Sequence, residues 1–114
     1  MSVLFWIKVI VAVATIGFGA LSIARPSAAE RFTGLAVTGP RGVSEIRSVL
    51  GGLFVGLGIA VLVYRTSSAF GTLGIGYLGI ALVRVASIFA DRAGTASNWA
   101  SLAAEIAFGV LLLL

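Results

Sequence analysis

The sequence predicts an all-α integral membrane protein, a bundle of four transmembrane helices with a short interfacial helix between helices one and two. Three observations predict it. Hydrophobic residues make up 60% of the 114-residue chain, and the mean hydropathy of +1.16 exceeds what a water-soluble domain of this size carries. Four apolar stretches approach the roughly 20 residues that a helix needs to cross a bilayer. Those stretches use nearly the whole chain, so residues 1–114 form a single domain, and the short connections between them hold the turn-formers and most of the charges.

The first span runs from Val3 to Ala24. Lys8 and the small residues Ser22-Ile23-Ala24 imitate a secretory signal, but the apolar run is long, the basic region is weak and Arg25-Pro26 follows at once, which favours an uncleaved helix. Arg25 to Ser44 is the only long connection. Pro26 suits a first helical turn, and Ser27 to Phe32 with Leu35 makes a short amphipathic helix for the membrane interface. Gly39-Pro40-Arg41-Gly42 reads as a turn, with Ser44 capping a second span over Ile46 to Tyr64. Arg65 to Ser68 is a tight turn into the third span, Ala69 to Ala90, and Asp91 to Thr95 leads to the fourth, Ala96 to Leu114.

Alternating spans collect Arg25, Glu30, Arg31, Arg41, Glu45, Asp91 and Arg92 at one membrane face, and leave Lys8 and Arg65 at the other. The basic excess favours the first face as cytoplasmic, against Lys8 and the terminal amine. The chain has eight basic and four acidic side chains, without a basic run, so nucleic acid is not an expected partner. Membrane lipids are, together with a second copy or another membrane subunit. Cysteine and histidine are absent from the sequence, which removes thiol nucleophiles, thiolate and imidazole metal ligands and the usual general base. No enzymatic activity, metal or cofactor is expected. Trp6 and Trp99 read as interfacial anchors, and Lys8 as a side chain snorkelling to the interface.

Charges inside spans carry the functional expectation, because an ionised side chain there faces a partner or a wet cavity. Arg84 in span three and Glu105 in span four lie almost equally far from Gly94, and in an antiparallel hairpin equal distance from the turn means equal depth. They are expected to pair. Glu45 and Arg47 open span two at the same face, so Glu45, Arg47, Arg84 and Glu105 form a candidate buried cluster. At 100° per residue, Asn98, Ser101, Glu105 and Gly109 share one stripe of span four, and Tyr77 shares a face with Arg84 two turns deeper. On span two, Glu45, Val49, Gly52 and Gly56 make one stripe, and Arg47, Gly51, Phe54 and Gly58 a nearly opposite one. Gly51, Gly52, Gly56 and Gly58 are expected to let helices approach closely on both sides.

The stretch Ser44-Glu45-Ile46-Arg47-Ser48-Val49-Leu50-Gly51-Gly52-Leu53, continued by Gly56-Leu57-Gly58, resembles the hallmark of a family of small bacterial four-helix membrane proteins, the domain of unknown function 4345. In that family such a stretch opens span two, with an arginine in span three and a glutamate in span four. Arg84 and Glu105 stand at those places, whereas Leu50 replaces a frequent aromatic. The resemblance implies the fold and the membrane, with no activity attached. A looser similarity to DoxX-like proteins rests on size and hydropathy.

Three uses of the charge cluster are open at this stage: a self-satisfied network that sets helix register, a lipid- or partner-binding site, and a relay for protons or solutes. The expected function is a non-enzymatic lipid- or partner-binding accessory protein of the bacterial inner membrane. The alternative is a small-solute or proton-coupled transporter or channel, oligomeric in its active form.

Overall fold

The computed structural model describes residues 2–114. Among these residues it is all-helical: α1 (Val3–Ala24), α2 (Pro26–Thr33), α3 (Pro40–Tyr64), α4 (Ser67–Ala90) and α5 (Ala96–Leu113). Helices α1, α3, α4 and α5 are each long and apolar enough to cross a membrane. Local chemistry explains the ends. Pro26 sits in the first turn of α2, where its missing N–H leaves no bond unmade, and α2 ends at Gly34 in the left-handed conformation, φ 77°. Thr66 and Thr95 cap α4 and α5, accepting bonds from the amides of Ala69 and Asn98.

Two features of α3 depart from expectation. Pro40 opens the helix instead of turning the chain, because proline suits its first turn as well as it suits a loop, so α3 starts six residues before Ile46 and Ser44 lies inside it as one of its residues rather than as a cap. Secondly, Ile46–Leu53 is a π-helix. Its wider i→i+5 turns change the phase of the residues it contains. The two stripes drawn at 100° per residue still separate, with Glu45, Val49, Gly52 and Gly56 exposed and Gly51, Phe54 and Gly58 buried or half-buried; Arg47 alone departs, being exposed.

The chain forms two compact units. In Val9–Tyr64, α1 and α3 pack antiparallel through small residues. Ala12, Thr15, Gly19 and Ser22 are buried along α1, and α3 answers with Gly51 and Gly58. A Cβ on Gly19 would stand 2.7 Å from the Gly51 carbonyl oxygen, and one on Gly51 would stand 3.1 Å from that of Gly19. Backbones come this close because neither glycine carries a side chain, and the side chains of Val55 and Ile23 pack over the two positions. Phe18 holds Phe54 and Phe32 at centroid distances of 5.3 and 6.3 Å, tying α2 to this unit, and Glu30 accepts the Val37 amide at 3.0 Å, fastening the connection to α3.

The same device recurs in the other unit, Arg65–Leu114 with the first turns of α1 up to Lys8. Here α4 and α5 run antiparallel, and Gly74 and Gly109 face each other: a Cβ on either would lie 3.0 or 3.1 Å from the other's carbonyl oxygen. Ala81, Ile88 and Leu102 form its apolar cluster, and Tyr77 packs edge-on against Phe108 at 5.5 Å. Lys8 lies 5.8 Å from the ring centroid of Phe70, a cation–π distance. Trp99 meets Phe89 edge-on at 6.1 Å, and Trp6 meets Phe5 at 5.4 Å.

The glycines of α3 therefore divide by role. A Cβ at Gly58 meets Ile16 at 2.4 Å and the Ala12 carbonyl at 3.0 Å, whereas Gly56 has nothing within 4 Å and Gly52 only its own Arg47 carbonyl at 3.9 Å. Gly58→Leu is expected to separate α1 from α3 and lower the melting temperature in detergent, and Gly56→Leu to leave it nearly unchanged. Equal effects of the two changes on a circular-dichroism melt would contradict this assignment of faces.

Candidate functional site

Arg84 and Glu105 do meet. Counted from Ala90 and Ala96, they lie about 9 and 13 Å inside α4 and α5 by helix rise. Nε of Arg84 donates to Oε1 of Glu105 at 2.6 Å and Nη2 donates to Oε2 at 2.7 Å, a two-bond fork that satisfies both carboxylate oxygens. Nη1 donates to Oδ1 of Asn98 at 2.8 Å. The amide nitrogen of Asn98 donates in turn to the Ala93 carbonyl at 2.8 Å. The network thus runs from the middle of α5 through α4 to the turn between them, and it locks the register of the two helices.

The pair is unequally buried: the Glu105 side chain is 10% exposed and that of Arg84 31%. The carboxylate is the enclosed partner. Arg84 borders an open recess of about 250 Å³ with Ile80, Val83, Ser87 and Asn98. A guanidinium has five N–H donors, and three are taken by Glu105 and Asn98. Two remain, one on each terminal nitrogen, without a partner among the described residues. The site is thus a restrained cation at the edge of a small cleft, with two donors that Glu105 and Asn98 do not use.

The other expected residues fall as follows. Tyr77 is buried two turns deeper on α4, and Ser101 is half-buried one turn before Glu105 on α5. Glu45 and Arg47 belong to the Val9–Tyr64 unit and are exposed there. Glu45 receives the guanidinium of Arg41, one turn earlier on the same helix. Gly51 and Gly58 are buried helix contacts, and Gly52 and Gly56 are exposed.

Sequence reasoning overlooked two participants in this site, Ser87 and Ala93, and one helix contact elsewhere, Gly19. Ser87, one turn beyond Arg84, lines the recess and donates to Oδ2 of Asp91 at 2.6 Å; its spacing from both was readable. The carbonyl of Ala93 carries no side-chain signal. Gly19 was readable as one member of the small-residue series Ala12, Thr15, Gly19 and Ser22.

No curated protein and no solved structure matches the chain. The profile described as "Domain of unknown function (DUF4345)" matches residues 3–114, the full extent of the four long helices. Because that match covers essentially the whole chain, the chain belongs to the DUF4345 family.

Proposed function

We propose that this protein is a non-enzymatic accessory protein of the bacterial inner membrane that binds the phosphate of a lipid headgroup at Arg84. The observation that carries the reading is the state of the guanidinium: it is held by Glu105 and Asn98, has two donors that neither partner uses, and belongs to a residue that borders an open recess. An arginine serving only to neutralise Glu105 gains nothing from that opening. Its depth suits the role, since a guanidinium one or two turns inside a spanning helix reaches the level where lipid phosphates lie. Ile80 and Val83 supply an apolar wall on the deeper side.

The test is native mass spectrometry of protein purified in mild detergent with native lipid. Wild type is expected to retain phospholipid. The double variant Arg84→Met/Glu105→Met removes the cation while burying no unpaired charge, so it keeps the fold, and it is expected to lose that lipid. Equal retention by both proteins would rule out Arg84 as the lipid site.

A further inference from the structure

We propose that the recess selects an aminophospholipid, whose phosphate is held by Arg84 and whose headgroup ammonium is held by Asp91. This rests on the phosphate-binding reading of Arg84 and adds the identity of the headgroup. It follows from the order of side chains along α4. From the inside outward come Ile80 and Val83, then Arg84, then Ser87, all lining the recess, and then Asp91 at the C-terminal end of the helix. That order is apolar, cationic, hydroxylic, anionic. A lipid entering from the bilayer presents acyl chain, phosphate and terminal headgroup in the same sequence, and the charges complement a headgroup with an inner phosphate and an outer ammonium.

Asp91 stands outside the recess lining, and two details bring it toward Arg84. Arg84 and Asp91 are seven residues apart, which places them on one face of α4 with about 10 Å between their levels. The guanidinium shortens that gap, because it bonds both Glu105 and Asn98 and so lies outward of the carboxylate, toward the turn. Asp91 is restrained on its side by the bond from Ser87 to Oδ2. It makes no ion pair with Arg92 or any other cation among the described residues, so its charge is available to a ligand.

A primary ammonium donates hydrogen bonds to a carboxylate. A choline headgroup cannot, and a glycerol headgroup carries no cation. The site therefore ranks phosphatidylethanolamine above phosphatidylcholine and phosphatidylglycerol. Asp91 is exposed, so the preference is that of a solvent-facing ion pair, about two- to fivefold.

The experiment offers purified protein an equimolar mixture of the three lipids and reads the bound species by native mass spectrometry. Wild type is expected to retain phosphatidylethanolamine in about two- to fivefold excess, Asp91→Asn to lose the excess, and Ser87→Ala to reduce it. Equal retention of the three lipids by wild type, or an undiminished excess in Asp91→Asn, overturns the inference. If wild type shows no preference while Arg84→Met/Glu105→Met loses all three lipids, the phosphate reading stands and only the ammonium assignment fails. If the double variant retains lipid as wild type does, the phosphate reading fails as well.

Discussion

Glu105→Ala is expected to lower stability in detergent by about 2–4 kcal/mol, and Arg84→Met added to it to restore most of the loss. Removing one member of a buried ion pair leaves the other without its counter-charge, a change that costs about 3–5 kcal/mol when burial is complete. Arg84 keeps Asn98 and is 31% exposed, so water relieves part of that penalty. Glu105→Gln retains an acceptor for one of the two bonds, and its loss should be the smaller. A double-mutant cycle on thermal or denaturant unfolding measures the coupling. If Glu105→Ala with Arg84→Met is as unstable as Glu105→Ala alone, the fork is not the source of the effect.

The second large effect is expected at Gly19. Adding one methyl group by Gly19→Ala should destabilise the protein by roughly 3 kcal/mol, the upper part of the range for overpacking. The obstacles are the Gly51 carbonyl oxygen at 2.7 Å and the Val55 amide nitrogen at 2.8 Å. Both are backbone atoms, which no rotamer change can move. Gly74→Ala meets the Gly109 carbonyl and Leu112 Cβ at 3.0 Å, and a smaller loss is expected there. Gly17 is the control, with nothing within 4 Å of its Cβ position; Gly17→Ala should be neutral or slightly stabilising through helix propensity, by up to about 1 kcal/mol. The three variants can be ranked by circular-dichroism melts in one detergent, and a Gly19→Ala melt matching that of Gly17→Ala would refute the contact.

The α4–α5 site was legible because its determinants are local along the chain. A short turn forces two helices antiparallel, and helix rise converts equal distance from that turn into equal depth. Arg84 and Glu105 could therefore be paired by counting. The four long helices were equally legible, since apolar length alone decides which segments a bilayer accepts. The amphipathic segment after Pro26 was legible because proline at a first turn and the periodicity of Ser27 to Phe32 with Leu35 agree.

What counting could not reach depends on departures from the regular helix. The π-helical stretch Ile46–Leu53 alters the phase of the residues it contains, so Arg47 could not be assigned to the face of Gly51 and Gly58 by periodicity. Pro40 permits a turn and a helix start alike, and only the folded chain distinguishes them. By itself the sequence determined that four helices suit a membrane and that one arginine and one glutamate would share a depth, because both depend on length and rise. Only the tertiary structure decided that Gly19 meets Gly51 and that Glu105 is enclosed while Arg84 borders an open recess. Those outcomes depend on which faces two helices turn toward each other and how near their backbones come, and that is set by packing of residues distant in the chain.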